Sequence, residues 1–190
     1  MIIIELNIFQ TNSAEARDFS QNVKDIDRAI KHAINRTIES AKTELIRETV
    51  RLYYVSATDI RKTITLKISN SSGIIQGLIN SRGERIKLSA FKVSPKTISR
   101  RMNGKSYQAA VKREGGMKRL SPNSFYIPSH KMLRMRYSPG GRGFQHTRAL
   151  FGPAIPQILK NEQTLDAVRV KADNVFNERL EHELKRLNLL

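Results

Sequence analysis

The sequence predicts an α+β fold, in which a mostly antiparallel sheet packs against two long amphipathic helices and an extended basic arm or hairpin region is attached. Three observations predict it. Residues 24–52 and 162–187 repeat apolar side chains at three- and four-residue steps. Several short runs alternate apolar and polar residues with a period of two. Between residues 94 and 148, Pro, Gly, Ser, Lys and Arg dominate, with only short apolar pieces at 107–111 and 125–127.

The first element is a strand over residues 2–9, where Ile2, Ile4, Leu6 and Ile8 alternate with Ile3, Glu5 and Asn7. A helix follows over 24–52. Ile26, Ile30, Ala33, Ile34, Ile38, Ala41, Leu45 and Leu52 form its stripe, while Lys31, Arg36, Glu39, Lys42 and Arg47 occupy the other face. Neither Gly nor Pro interrupts it, and at 1.5 Å per residue it would be about 43 Å long, enough to span a domain. Ser56 or Thr58 is placed to cap a short helix through residues 59–62. Ile64, Leu66 and Ile68 then alternate with Thr65 and Lys67 as a half-buried strand. Ser71, Ser72 and Gly73 signal a turn, residues 74–79 a further strand, and 85–93 another.

Asn103-Gly104 and Gly115-Gly116 read as turns between short strands, and residues 139–143 as a flexible loop. So long a stretch without structure is unusual in a compact domain, and hairpin arms that order against neighbouring subunits account for it. Residues 150–157 are rich in Pro and Gly. Asn161 then caps the last helix, with Glu162 at the positive end of its dipole and Lys185 and Arg186 at the negative end. The 190 residues suit one domain, divided into a strand-helix-sheet half (1–93), the basic region (94–147) and a Pro-rich elbow with its helix (148–190).

Charge is concentrated in the middle. Residues 82–148 hold 17 Lys and Arg against only Glu84 and Glu114, which is +15 of the total +17. Such an excess selects polyanionic or acidic partners. The absence of cysteine excludes disulfides and thiolate metal sites. No run approaches the ~20 apolar residues of a spanning helix, so no membrane partner is expected.

Little points to catalysis. His32, His130, His146 and His182 show no metal-type spacing, and no Gly-x-Ser-x-Gly elbow is present. A metal-dependent nuclease needs clustered acids, and the region able to hold DNA is the one that lacks them. The loop around Gly140, Gly141, Arg142 and Gly143 lacks the Gly-Lys-Ser/Thr ending of a phosphate cradle. No cofactor is expected. The candidate contacts are Arg100, Arg101, Lys105, Lys112, Arg113, Lys118, Arg119, Lys131, Arg134, Arg136 and Arg142, with Phe125, Tyr126, Tyr137 and Phe144 interleaved. Cations on phosphates release counterions, and aromatic rings stack on bases. The same cations also suit a solubilising surface or docking on an acidic protein, and the rings a local core.

Two groups of residues carry a family resemblance. Ala33, Ile34, Asn35, Arg36 and Thr37 resemble the Ala-Leu-Asn-Arg-Thr region of the phage minor tail protein Z family, and Tyr54, Val55, Ile60, Arg61 and Lys62 resemble its continuation. The most specific piece comprises Arg148, Leu150, Phe151, Gly152, Pro153, Ile155, Pro156 and Gln157. With the closing-helix residues Arg179, Leu180, His182, Glu183 and Leu184, it is similar to the family's C-terminal signature.

The resemblance implies a tail-completion or head-proximal connector protein without catalytic residues or cofactor. It further implies a homo-oligomeric ring, hexameric like a tail tube, around non-specifically passing double-stranded DNA. Tail tube or terminator and head-connector proteins would be its neighbours. The place would be the virion tail, reached from the host cytoplasm during assembly.

The signature also has a physical reading. Pro153 and Pro156 restrict their own φ and push the preceding residues toward extended geometry, while Gly152 permits a turn. Phe151, Gly152, Pro153 and Pro156 would thus form a rigid elbow, anchored on the sheet by Leu150, Phe151 and Ile155. A ring also constrains the charge: six copies would bring about +90, while a collar about 40 Å deep faces only roughly two dozen duplex phosphates at one per ~1.7 Å. The cations would therefore divide between DNA and acidic protein surfaces. The alternative is a stand-alone basic nucleic-acid-binding protein, which would be monomeric with tight DNA binding.

Overall fold

A computed structural model describes residues 4–12, 23–71, 74–95, 106–137 and 146–187. The fold is α+β. In chain order it comprises β1 (Ile4–Asn12), α1 (Val23–Leu52), α2 (Ala57–Thr63), β2 (Ile64–Ser71), β3 (Ile74–Ser81), β4 (Arg85–Lys87), β5 (Lys92–Ser94), β6 (Gln108–Ala110), β7 (Lys118–Arg119), β8 (Ser124–Ile127), β9 (Met132–Tyr137), β10 (His146–Ala149), β11 (Phe151–Ala154), α3 (Ile155–Leu159) and α4 (Glu162–Arg186). The expected Asn103-Gly104 turn and the 139–143 loop fall outside the described residues.

The apolar stripe of α1 is buried as its spacing requires. Ala33, Ile34, Ile38, Ala41 and Leu45 are at most 1% exposed. Thr37 and Thr49 lie in the same stripe, and each hydroxyl donates to a carbonyl one turn back, Ala33 O at 2.8 Å and Leu45 O at 2.6 Å. Bonding within the helix lets these polar groups enter the core without a desolvation penalty. Helix α4 packs along α1 through Val168, Ala172 and Phe176.

The Asn161 side chain accepts from Thr164 N at 3.4 Å and caps α4. Replacing Asn161 with Ala is expected to cost about 1 kcal/mol. Thermal melting measures it, and an unchanged midpoint would show that the cap contributes nothing.

Among the described residues all strand pairs are antiparallel, but they form four small sheets. The sheet with order β1-β3-β2 covers the helices, and central β3 turns Ile75, Gly77, Ile79 and Ser81 inward by strict alternation. The core joins α1, α2, β2, β3, α3 and α4 through Ile46, Ile60, Ile64, Ile79, Leu159 and Val168. Each such side chain contributes about 1.5–3 kcal/mol by leaving water.

The single strand expected over 85–93 is instead broken. β4 pairs with β11, a 3₁₀ turn spans Leu88–Ala90, and β5 pairs with β6. The break lets Phe91 reach the core beside Leu52, Tyr53 and Ile158, a burial that a continuous strand in one sheet would not provide. The described hairpins of the basic region lie against the body. Tyr107 and Leu133 are fully buried, and backbone bonds run from Tyr54 N to Val111 O and from Arg113 N to Leu52 O, both 2.9 Å.

The expected elbow is a strand running into a short helix: Gly152, expected to permit a turn, lies within β11. β11 leads directly into α3, with Pro156 in the first turn of α3 and Ala154, Ile155 and Pro156 buried. Pro153, which lacks an N–H, falls where the β11–β4 register shifts. Phe151 does not anchor the segment: it is 41% exposed. Phe91 occupies the inward position and lies so close to Gly152 that a Cβ there would sit 3.1 Å from ring atoms Cδ2 and Cζ.

Candidate cationic interface

The tyrosine pair that ends α1 gathers the first group of cations. Tyr53 is buried and Tyr54 half-buried where α1 gives way to the chain entering α2. The Lys92 ammonium lies 5.0 Å from the Tyr54 ring centre and donates to its hydroxyl at 3.3 Å. The Arg113 guanidinium lies 4.7 Å from the same ring and its Nε donates to Val50 O at 2.9 Å. Lys112 stands over Tyr53 at 5.8 Å. Arg113 also borders a shallow hollow of about 580 Å³ shared with Arg47, Glu48 and Arg51 of α1.

A second group lies on the sheet with order β10-β9-β8. Register puts Phe125, Arg134 and Arg136 on one face, where Arg136 covers the Phe125 ring at 4.9 Å and Arg134 donates to Thr147 O at 3.0 Å. The other face carries Tyr137, His146 and Arg148. Arg148 lies 5.9 Å from the Tyr137 ring, and the Tyr137 and His146 rings are 5.8 Å apart. Tyr126 and Phe125 are half-buried, so they serve both as local core and as supports for cations. Lys131 sits at φ +45° in the turn joining β8 to β9. That turn is tied down by Ser89, whose hydroxyl donates to Lys131 O at 2.6 Å.

One electrostatic contrast separates these cations from those on the helices. The ion pairs among the described residues lie within α1, α2 and α4, such as Arg47–Glu44 and Arg51–Glu48, both 2.7 Å. None involves a cation of residues 82–148. These side chains are oriented by carbonyls, a phenol and aromatic faces, which fix direction without cancelling charge. Their charge is therefore not cancelled by a direct ion pair among the described residues, although Glu84 lines the cleft with Arg82 and Arg85 and Glu48 the hollow with Arg113.

Of the cations chosen from sequence, Lys112 and Arg113 meet at the tyrosines and Arg134 and Arg136 at the β9 face. Lys118 and Arg119 lie exposed on β7. Arg100, Arg101, Lys105 and Arg142, together with Phe144, lie outside the described residues. Sequence reasoning did not single out Lys92 and Arg148, which the structure adds to the two groups. Two adjacent tyrosines at a helix end were the available signal.

A separate cleft of about 820 Å³ opens between the 82–85 loop and β11–α3, lined by Arg82, Glu84, Arg85, Phe151 and Gln157. Its floor is firmly placed. Arg82 N donates to Thr63 O at 3.0 Å, and a Cβ on Gly83 would meet Thr63 Cγ2 at 3.2 Å. Gln157 is occupied, accepting from Ala154 N at 3.0 Å.

Among the described residues no three His, Asp or Glu side chains converge as a metal site would require. Burial, with Tyr126 nearby, pushes the Tyr107 phenol above its ordinary value, so it stays neutral and packs as core. No described helix is long and apolar enough to cross a membrane. No protein-family model, curated protein or solved structure matches the chain.

Proposed function

We propose that the chain is a structural, non-enzymatic subunit of a phage-type tail, acting at its head-proximal end as a completion or connector protein. Its copies form a ring, six in number if it follows the tail tube, through which double-stranded DNA passes. The family assignment rests on the quoted signature residues. The physical role rests on one observation: Lys92, Lys112, Arg113, Arg134, Arg136 and Arg148 are aimed by carbonyls, a phenol or aromatic faces and have no ion-pair partner among the described residues. Such a surface holds a polyanion through phosphates alone. Contact of that kind is blind to sequence and weakens with salt, which suits DNA that must slide. In a virion the tail tube or terminator and the head connector would lie on either side, after assembly in the host cytoplasm.

The test combines assembly with binding. Electron microscopy and light scattering of the purified chain are expected to show closed rings. Affinities for two unrelated duplexes should agree and fall together as salt is raised. A chain that stays monomeric and binds one duplex selectively, with little salt dependence, would overturn the proposal. A monomer that binds all duplexes tightly would favour the stand-alone nucleic-acid-binding reading.

A further inference from the structure

The outward face of α4 is chemically the counterpart of the Arg82–Arg85 cleft. Glu162, Asp166, Val170 and Asp173 follow at steps of four, four and three, so they form one stripe on the helix. All four are exposed, and Val170 points away from the buried Val168 and Ala172. Val170 is 63% exposed, the highest value among the exposed large hydrophobics of the described residues. An apolar side chain flanked by carboxylates is thus offered to solvent.

The cleft offers largely the reverse pattern, two arginines and an exposed ring against the single carboxylate of Glu84. Arg82 and Arg85 project beside Phe151, itself 41% exposed. Neither arginine reaches a carboxylate among the described residues. The loop beneath them is held by Thr63, so the pair is presented by rigid backbone.

We infer that the cleft of one copy receives the outer face of α4 from the next copy, with Arg82 and Arg85 meeting the carboxylates and Phe151 meeting Val170. This rests on the reading of the chain as a self-assembling subunit, and is independent of its DNA contact. The two patches lie on different parts of one chain, so when each copy passes the contact on to a third the interface is heterologous and runs head to tail. Such a contact closes into a ring when the rotation allows it. The Asp166–Arg169 pair, 3.2 Å with both side chains 69% exposed, does not block it, since an exposed pair of this kind exchanges partners at little cost. Apolar burial at the centre with charges around it is the usual anatomy of a specific interface.

Charge exchange tests the contact. Sedimentation velocity of the full chain is expected to show self-association that weakens as salt is raised. The Arg82→Glu/Arg85→Glu variant should lose association by about tenfold or more per reversed charge, and so should Asp166→Lys/Asp173→Lys. An equimolar mixture of the two variants is expected to associate again, because each cleft then finds a complementary helix. Unchanged melting of each variant and its recovery on mixing separate loss of contact from misfolding. If the variants assemble like the parent chain, or if mixing restores nothing, the contact is wrong and self-assembly stands. If the parent chain remains single at every salt and protein concentration, both fail.

Discussion

Changing Lys92, Lys112 and Arg113 together to Ala is expected to weaken duplex DNA binding about 100-fold near 0.15 M salt, and to reduce the slope of log affinity against log salt by about 3. The magnitude follows from counterion release. Each phosphate contact contributes about 0.9 to the slope, and three such contacts at this salt supply roughly two decades relative to 1 M. The three cations were chosen because two tyrosines and the Val50 carbonyl hold them in one cluster. A second variant separates position from net charge. Arg36, Lys62 and Lys185 each already face a carboxylate, at 3.9, 3.9 and 2.5 Å. Changing those three to Ala removes the same charge, yet should reduce the slope far less. Equal losses in both variants would mean that total charge governs binding and the tyrosine cluster has no special part. The pair at Lys185 also holds the Glu181 carboxyl below its ordinary value through its hydrogen bond, consistent with that cation being occupied.

Replacing Gly77 with Ala is expected to destabilise the fold by about 1–3 kcal/mol, the usual cost of overpacking, and so to lower the melting temperature by about 2–12 °C at 2–4 °C per kcal/mol. A Cβ at Gly77 would overlap Ile38 Cγ2 and stand 2.9 Å from Ile34 Cγ2. An added methyl favours a strand by about 0.5–1 kcal/mol through reduced chain entropy, but here the steric term wins. Ile34 and Ile38 are β-branched, sit on α1, and are 0% and 1% exposed, so neither has another rotamer or open space to use. Removing the obstructing methyl by Ile38→Ala should make the double variant less unstable than the sum of the single effects. Strict additivity in chemical denaturation would show that the helix and β3 do not meet there.

How much could be read from residues alone depended on the distance over which each signal acts. The stripes of α1 and α4, the cap at Asn161 and the strands at 64–68 and 74–79 are local and appear as expected, except that Ile68, at the end of the β2 alternation, is 41% exposed. The 85–93 segment failed because alternation reports a preference for extended backbone and not a partner. It cannot show that β4 joins β11 while β5 joins β6. Phe151 failed for a related reason. Its apolar character predicted burial, but Phe91, sixty positions earlier, fills the space beside Gly152.

The sequence by itself determined that two helices face a core, that antiparallel strands accompany them, and that positive charge crowds into residues 82–148. Those properties follow from periodicity and composition, which need no knowledge of where the chain returns. Tertiary structure alone decided which cations act together. Lys92 and Arg113 meet the end of α1 across 38 and 63 residues, and Arg82 and Arg85 share a cleft with Phe151. Side chains this far apart in the chain become neighbours only through the packing of the elements between them.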